Sequence, residues 1–474
     1  MMRLLHPIVH GRVEPGPEVV DIRRPGDHQV LHQVSLATES VVRRALDGLA
    51  AAFAHTRTMP AYERRNILLR LLQHLERDAE TMAQLIANEA GKPIRLARGE
   101  VERARITIAC AADAAWRLSG EMMPLDVMPA HQGRWGVWFR VPVGPVLAIT
   151  PFNFPLNLVL HKIAPAMAIG APFVIKPSPQ TPATAELLTR WILDAGWPPE
   201  AIAYLPCANT VAESMARAPE IRVVSFTGSA QVGWHLKRVA AGKRVVLEMG
   251  GNAHVIVHAD ADLDWAAERC AFGAFVYAGQ VCISVQIIQV HASVLDDFTD
   301  RLVAAARALK VGDIFDSEVV IGPMINTPSA DRVMAWIEQA LHRGARVVLE
   351  GHREGDWIHP WILTHVPPDL PVYCEEVFGP VVIVEPYTEW DEAVQRVNRS
   401  VYGLQAGVFT RDWNRIQDAM QRIEVGGLVI NDVPTVRVDP MPYGGMKQSG
   451  FGREGIRFAI EAMTDIRMVL FRRM

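Results

Sequence analysis

Cysteine is scarce in this chain, and the cysteines stand apart from one another. The 474 residues include 5 cysteines, and no two of them form a C-x-x-C pair. An odd number of isolated cysteines excludes a disulfide framework and a zinc knuckle. We therefore expect no metal site, and a cysteine with a chemical role has to act alone.

The sequence also lacks long apolar runs and blocks of like charge. No stretch of about eighteen apolar residues could cross a membrane, and the segment from Met1 to Val9 has no signal-peptide core. The formal net charge is −4, from 48 basic and 52 acidic residues. The arginines are scattered, so the pattern indicates neither a nucleic-acid surface nor a membrane surface. We expect a cytoplasmic protein that binds neither.

What the chain does contain is enough apolar sequence for more than one core. Its 474 residues are 50% hydrophobic, and a usual domain has about 150 residues. From Ser40 to Leu118, apolar residues recur at helical spacing. From Val143 onward, short apolar runs alternate with amphipathic stretches, and a second such series follows Gly251, which is typical of βαβ units. These patterns predict an α/β fold with two parallel-sheet lobes.

Turn-rich segments flank the two lobes. They run from Met122 to Gly136 and from Val433 to Gly455, and a strand-like tail, Ile466 to Phe471, follows. An exposed apolar strand edge tends to pair with another chain. We therefore interpret both flanks as edges that pair within an oligomer, and we expect a homodimer or homotetramer.

Two segments place a polar side chain beside proline or glycine at the end of a predicted strand, where open α/β sheets bind ligands. In Pro151-Phe152-Asn153-Phe154-Pro155, the asparagine amide either donates to a developing oxyanion or caps the next helix. In Leu247-Glu248-Met249-Gly250-Gly251-Asn252, the glutamate is either a solvated strand end or a partly screened general base. Both segments are candidates for a catalytic site.

A third segment, Gly279-Gln280-Val281-Cys282, follows a helix-like run from Leu263 to Tyr277. The pKa of a free thiol is near 8.5, so a nucleophilic cysteine needs local help to ionise at neutral pH. No histidine adjoins Cys282 in the sequence. Glu248 lies one α/β step upstream and could activate either the thiol or a water.

These segments, in this order, resemble the aldehyde dehydrogenase superfamily over about Arg64 to Phe471. The resemblance implies that Cys282 is the nucleophile, that Glu248 is the general base, and that Asn153 and the Cys282 backbone amide form the oxyanion hole. The implied activity is NAD(P)-dependent oxidation of a small aldehyde to its carboxylic acid. The chain is most similar in look to lactaldehyde, non-phosphorylating glyceraldehyde-phosphate and semialdehyde dehydrogenases, and the sequence does not choose among these substrates.

The resemblance also implies a domain division. A Rossmann-like NAD(P)-binding domain is expected over residues 1–119 and 143–249, and a catalytic domain over residues 250–447. Residues 120–142 and 456–474 are expected to form a small β oligomerisation flap.

By the same resemblance, a defined set of residues holds the cofactor. In the family the lysine at the position of Lys176 reaches the adenosine ribose, and the helix that follows Ser225 to Ser229 can receive the pyrophosphate at its N-terminus. Glu376 matches the ligand of the nicotinamide ribose. The residues expected to line the cofactor are Thr150, Pro151, Phe152, Lys176, Ser178, Gly228, Ser229, Gly233, Met249, Gly250, Glu376 and Phe378.

Three positions stand out beside this pattern. Pro179 replaces a glutamate that is common in strictly NAD-using relatives, so we expect NADP to be used at least as well as NAD. Arg437 either faces an anionic substrate tail or holds a loop. Glu454 either takes part in a proton relay or is a surface glutamate that opens the final helix. It lies in Gly450 to Gly455, a G-x-G-x-x-G match that lacks a preceding strand, so we assign it no phosphate.

Other functions remain open at this stage. An enzyme of the same fold could pass the acyl group to coenzyme A or work reductively, but relatives that use coenzyme A lack the glutamate at the position of Glu248. A non-enzymatic binding protein would need none of Cys282, Glu248 and Asn153. A zinc- or flavin-dependent oxidoreductase lacks its ligand clusters in this sequence.

Overall fold

The computed structural model describes residues 3–473, and two large, mainly parallel sheets organise the chain. The first sheet has 8 strands. In spatial order they are Gly450–Phe451, Arg244–Met249, Val223–Gly228, Val146–Ile149, Phe173–Lys176, Ile202–Tyr204, Ile8–Val9 and Arg12–Val13. The five strands from Arg244–Met249 to Ile202–Tyr204 run parallel, and the outer strands are antiparallel.

The second sheet has 7 strands, and only its first strand is antiparallel to its neighbour. In spatial order they are Arg346–Leu349, Trp361–Thr364, Val381–Tyr387, Val285–His291, Ala253–Val257, Gln405–Phe409 and Gly427–Ile430. Five of them are buried along most of their length, as the continuous apolar runs of parallel strands require. The expected pair of parallel-sheet α/β lobes is therefore confirmed.

Helices cover both sheets. Beside the first sheet they are Glu39–Thr56, Ala61–Arg77, Ala79–Ala90, Ile94–Trp116, Asn157–Ile169, Pro182–Asp194, Asn209–Arg217, Ala230–Val239 and Ile456–Met463. Beside the second sheet they are Leu263–Phe275, Leu295–Ala308, Thr327–His342, Pro371–Cys374, Trp390–Arg399 and Trp413–Arg422. All residues of Asn157–Ile169 are buried, including the polar Asn157, His161 and Lys162. This mostly apolar helix packs between the first sheet and the helices Ile94–Trp116 and Ile456–Met463.

Smaller sheets complete the fold. The strands are Arg3–Leu5, Val30–Ser35 and Val19–Arg23 in one sheet; Glu121–Pro124, Arg134–Pro142 and Thr464–Arg472 in a second; Arg353–Glu354 with Trp357–Ile358; and Tyr402–Gly403 with Met446–Lys447. Within residues 3–473, no helix is both long and apolar enough to span a bilayer.

The segment Val433 to Gly455 differs from our interpretation of it as an oligomer edge. Its strand Gly450–Phe451 pairs with Arg244–Met249 of the same chain, and Gly450 lies opposite Glu248. Turn-rich composition indicated an irregular segment but not where that segment packs. It closes over the strand end that carries Glu248.

Candidate active site

A left-handed turn positions Cys282. The helix Leu263–Phe275 ends two residues earlier than the apolar pattern suggested, and Tyr277, Ala278 and Gly279 have φ values of 56°, 53° and 67°. A Cβ on Gly279 would lie 2.3 Å from the Gly379 carbonyl oxygen, so glycine is required there. The turn delivers Cys282 to the start of the strand Val285–His291, half-buried between the two sheets.

Gln280 anchors this turn from within the core. It is fully buried, its Oε1 accepts from the Ile325 amide at 2.8 Å, and its Nε2 donates to the Pro323 carbonyl at 3.1 Å. Asn153 is attached to the same turn, because its Nδ2 donates to the Gln280 carbonyl at 3.0 Å. The Asn153 amide therefore lies beside the cysteine turn, with a second N–H hydrogen left over.

The side chain of Asn153 does not cap the helix that follows. The amides of Leu156 and Asn157, at the start of that helix, donate instead to Glu100 Oε1 at 2.9 and 3.1 Å. The capping interpretation of Asn153 is therefore wrong. Lys92 pairs with Glu100 at 2.6 Å and donates to the Asn153 carbonyl at 2.7 Å, so a buried ion pair fixes the backbone of Asn153.

Glu248 is buried at the end of its strand. It is 1% exposed, and neither carboxylate oxygen has a hydrogen-bond partner among residues 3–473. Burial raises the pKa of Glu248 to about 7, and the negative charge of Glu454 is the second-largest cause of this increase. The solvated strand-end interpretation is therefore wrong. A carboxylate whose pKa lies near neutrality can both take up and release a proton at physiological pH.

The thiol of Cys282 contacts a residue that the sequence did not reveal. Cys282 Sγ lies 3.1 Å from the Tyr443 hydroxyl. Burial, followed by the charge of Glu248, raises the pKa of Cys282, and the Tyr443 hydrogen bond acts in the opposite direction. Tyr443 sits in an irregular segment without periodicity, and only the Pro-Tyr-Gly-Gly turn could have marked it as a close-approach position.

A buried ion cluster lies behind Tyr443. The Arg437 guanidinium lies 3.8 Å from the centre of the Tyr443 ring and donates to Glu454 Oε2 at 3.1 Å. Lys162 donates to Glu454 Oε1 at 2.7 Å and to the Thr227 hydroxyl at 2.6 Å. Glu454 is 2% exposed and comes just before the final helix, so its interpretation as a surface residue is wrong. Burial opposes ionisation of Glu454, but Lys162 and Arg437 lower its pKa to about 2.

Arg437 does hold its loop, because the pair with Glu454 ties two parts of the C-terminal segment together. Its Nε is nevertheless buried and unpartnered within the described part of the chain. The structure is therefore compatible with a second contact for this guanidinium. Lys162 was not singled out by the sequence, although a lysine inside a 13-residue apolar helix is a signal of a buried charge.

Glu376 lies against the backbone that follows Glu248. A Cβ on Gly250 would be 2.0 Å from Glu376 Oε2, so only glycine allows this approach. Burial, followed by the charge of Glu248, raises the pKa of Glu376 to about 8, and its Oε1 has no partner among the residues described. Phe378 has φ of 48°, and its ring meets that of Phe152 edge to face at 5.9 Å. An unpartnered buried carboxylate oxygen fits a ribose hydroxyl.

The other cofactor candidates lie at the strand ends of the first sheet. Thr150 and Pro151 follow the strand Val146–Ile149, and the Thr150 amide donates to the Lys176 carbonyl at 3.2 Å. Lys176 Nζ donates to Asn209 at 3.2 Å. Ser178, Pro179 and Asn209 line a cavity of about 510 Å³.

The helix Ala230–Val239 begins directly after Gly228 and Ser229, with its N-terminus at the end of the strand Val223–Gly228. A Cβ on Gly233 would lie 2.3 Å from the Met249 sulfur, so this glycine lets the helix pack closely on the strand. Backbone amides at such a helix start fit a pyrophosphate.

The fold, shared with solved NADP- and NAD-dependent enzymes, and the half-buried thiol beside a buried carboxylate define an NAD(P)-dependent oxidoreductase. The chain belongs to the aldehyde dehydrogenase family, and the model of that family matches residues 13–469. A 3-sulfolactaldehyde dehydrogenase of Priestia aryabhattai is 41% identical over 463 residues, which are 98% of this chain and 97% of that protein.

Solved structures of the family superpose on the whole chain. Aldehyde dehydrogenase 21 of Physcomitrella patens, in complex with the reaction product succinate, has a TM-score of 0.97 and 37% identity, covering 100% of this chain and 99% of that one. The glyceraldehyde-3-phosphate dehydrogenase GapN of Methanocaldococcus jannaschii, complexed with NADP, has a TM-score of 0.92 and 35% identity, covering 96% and 99%. The expected cofactor, NADP or NAD, is confirmed by such relatives.

Proposed function

We propose that the protein oxidises a small aldehyde to the free carboxylic acid through a thioester on Cys282. The observation that carries this proposal is the position of Glu248. Its carboxylate is buried, both of its oxygens lack a hydrogen-bond partner among residues 3–473, and its charge is close enough to raise the pKa of the Cys282 thiol. Relatives that pass the acyl group to coenzyme A lack the glutamate at this position. A hydrolytic enzyme needs such a base to deprotonate water.

The chemistry follows from the three side chains. Cys282 adds to the aldehyde carbonyl as its thiol proton passes to a base, and a tetrahedral thiohemiacetal results. Asn153 Nδ2 and the Cys282 backbone amide stabilise the oxyanion. A bound NAD(P) would supply the hydride acceptor, and loss of hydride from the tetrahedral carbon leaves a thioester on Cys282. Glu248 then takes a proton from water, the hydroxide attacks the thioester, and the Cys282 sulfur leaves as the acid is released.

We also propose which parts of the cofactor the residues at the strand ends would hold. Glu376 would hold the nicotinamide ribose, Lys176 and Ser178 the adenosine ribose, and the amides after Ser229 the pyrophosphate. Pro179 brings no carboxylate to the ribose, and Lys176 is near, so a 2′-phosphate meets no repulsion. The expected result is a kcat/KM for NADP at least equal to that for NAD. A hundredfold preference for NAD would contradict it.

The charges of the site favour an aldehyde with an anionic tail. Lys162 and Arg437 bring two positive charges, and Glu454 supplies one negative charge. Asp439 also acts on Arg437, but it is paired with Arg103. Glu248, with its pKa near 7, is only partly ionised at neutral pH. A surplus of positive charge therefore lies behind Tyr443. Arg437 stacks on the Tyr443 ring, and the Tyr443 hydroxyl contacts the Cys282 sulfur. Two of the relatives described above are named for a sulfonated and a phosphorylated aldehyde, and the third was solved in complex with its reaction product succinate.

The test compares 3-sulfolactaldehyde with lactaldehyde, which differ only by the sulfonate. We expect NADP reduction with both in the absence of coenzyme A, a higher kcat/KM for the anionic aldehyde, and no reduction by the Cys282→Ala variant. A requirement for coenzyme A would replace the hydrolytic proposal with acyl transfer. No turnover of any small aldehyde would favour a binding role.

Arg437 is tested with the same pair of substrates. A charged hydrogen bond contributes about 1.5–3 kcal/mol, so Arg437→Gln should lower kcat/KM for 3-sulfolactaldehyde about tenfold or more beyond its effect on lactaldehyde. Lactaldehyde is the control, because it reports general damage from the lost pair with Glu454. Equal losses for both substrates would assign Arg437 a purely structural role.

A further inference from the structure

A hairpin far along the chain from the catalytic residues brings two histidines and a glutamate together. The strands Arg353–Glu354 and Trp357–Ile358 pair antiparallel, and the His359 amide donates to the His352 carbonyl at 2.9 Å, which extends the pairing by one residue. His352 and Glu354 alternate with Arg353 and therefore share a face. His359 lies directly across from His352 on that face.

The three side chains converge. His352 Nε2 lies 3.2 Å from Glu354 Oε1, and one ligand atom from each of His352, Glu354 and His359 lies within 4.8 Å of the other two. The imidazole rings of His352 and His359 stack with their centres 3.7 Å apart. A tetrahedral zinc ion with bonds of about 2.0–2.1 Å separates its ligand atoms by about 3.3 Å, so the cluster needs only side-chain rotation to coordinate one.

The surroundings suit a cation and not a pair of imidazolium rings. Two protonated imidazoles whose ring centres lie 3.7 Å apart repel each other. Neutral imidazole is the form that binds metal. Glu354 and His359 also line a cavity of about 700 Å³, whose wall carries Asp313 and the Arg24–Asp27 ion pair, which leaves room for water at the remaining coordination positions.

Contacts with neighbouring segments hold the hairpin in place, including those of Trp357, which lies across from Glu354. Trp357 Nε1 donates to the Gly312 carbonyl at 3.2 Å, and the Trp357 ring packs so closely on Gly26 that a Cβ there would lie 2.3 Å from it. The carbonyl of Asp356, a residue that is 1% exposed, accepts from the Met324 amide at 2.8 Å.

We propose that His352, Glu354 and His359 form a binding site for one divalent transition-metal ion, of which Zn²⁺ fits two imidazoles and a carboxylate best. The site is structural: the ion ties the hairpin across its strands, and water completes the coordination. This site departs from our expectation of no metal. That expectation rested on the absence of cysteine pairs, whereas His359 is brought beside His352 only by the register of the two strands.

The test is zinc titration by calorimetry on untagged protein in a Cys282→Ser background, which removes the competing thiol. We expect one Zn²⁺ per chain. The double variant His352→Gln/His359→Gln should lose this binding, and Glu354→Gln should weaken it by at least about tenfold, since even outer-sphere partners cost that much. His342→Gln, an exposed histidine at a helix end, is the matched control and should bind as the parent does.

Thermal unfolding gives a second readout that does not depend on activity. Zn²⁺ should raise the midpoint of the parent and of His342→Gln, but not that of the double histidine variant, because a ligand that binds only the folded state stabilises it. Equal, weak and multi-site binding by all variants would mean adventitious surface binding only. Retention of one tight site in the double variant would place the metal elsewhere. Either outcome overturns the proposal.

Discussion

Burial of Glu248 sets the pH range of the proposed hydrolysis. Its pKa of about 7 means that the carboxylate is mostly protonated at pH 6 and mostly ionised at pH 8, and only the ionised form can take a proton from water. The rate of acid release should rise with pH through about 7, where it is half-maximal, and level off above about pH 8. Rapid-quench measurement of acid release between pH 5.5 and 8.5 checks this.

Glu248→Gln is the companion variant. General-base catalysis contributes about 10²–10⁴-fold, so acid release should slow by that factor, and the acyl-enzyme should accumulate and be visible by mass spectrometry. A pH profile with the same rise in Glu248→Gln as in the wild type would show that another group is the base.

Tyr443 offers a residue-scale test of thiol activation. Tyr443→Phe removes the hydroxyl 3.1 Å from Cys282 Sγ but keeps the ring on which Arg437 stacks. The lost hydrogen bond should raise the pKa of Cys282 and slow its alkylation by iodoacetamide at neutral pH by about tenfold, since a hydrogen bond to a charged group contributes about 1.5–3 kcal/mol. An unchanged alkylation rate would mean that the hydroxyl does not stabilise the thiolate.

Sequence reasoning found Asn153, Glu248 and Cys282 because each lies beside glycine or proline at the end of an apolar element. It missed Tyr443 and Lys162 for a different reason. Lys162 meets Glu454 across 292 positions, and no local spacing encodes a contact of that kind. Their importance comes from chain packing, which brings charges together only after both sheets have formed.

At the scale of elements, buried glutamates from distant helices cap two helix starts. Glu89 accepts from the Ala183 and Thr184 amides at 2.7 and 2.8 Å, at the start of Pro182–Asp194. Glu100 does the same for Asn157–Ile169 and holds Lys92 as well. Both caps satisfy orphan N–H groups and match the positive end of the helix dipole. Of these two glutamates, only Glu100 is also connected to Asn153, because its partner Lys92 donates to the Asn153 carbonyl.

The two caps predict different outcomes for the same substitution. Glu100→Gln leaves Lys92 buried without its charge partner, which costs about 3–5 kcal/mol, and it frees the backbone of Asn153. We expect a lower thermal midpoint and a lower kcat/KM. Glu89→Gln, the matched control, should lower the thermal midpoint but leave kcat/KM near the wild-type value. Full activity of Glu100→Gln would show that Asn153 is held by other contacts.

Strand and helix limits followed closely from periodicity, because buried parallel strands and amphipathic helices carry strong patterns. The helical pattern from Ser40 to Leu118 is occupied by four helices, from Glu39–Thr56 to Ile94–Trp116, and the run from Leu263 to Tyr277 by the helix Leu263–Phe275. The segment Val433 to Gly455 was misplaced, because its one pairing with the Glu248 strand spans only two residues and leaves no periodic signal.

At the scale of the whole molecule, the sheet that ends the chain presents an apolar face. Ile466, Met468 and Leu470 alternate along the edge strand Thr464–Arg472 and are 59%, 43% and 56% exposed. An open edge with exposed apolar side chains favours association, and we propose that it joins subunits. Light scattering should give a dimer or tetramer mass, and Leu470→Glu should lower it. Arg467→Gln, on the other face, is the control, and a monomeric wild type would contradict the proposal.

The pairing of Gly450–Phe451 with the Glu248 strand also bears on biosynthesis. Arg437, Tyr443 and Glu454 all belong to the segment that closes over Glu248, so the site cannot be complete until residue 454 of 474 has been translated. Chains generally fold from the N-terminus as they emerge from the ribosome. A nascent chain released early therefore lacks the side chains behind Cys282 even where most of its two sheets can form, and we expect premature termination to yield inactive protein.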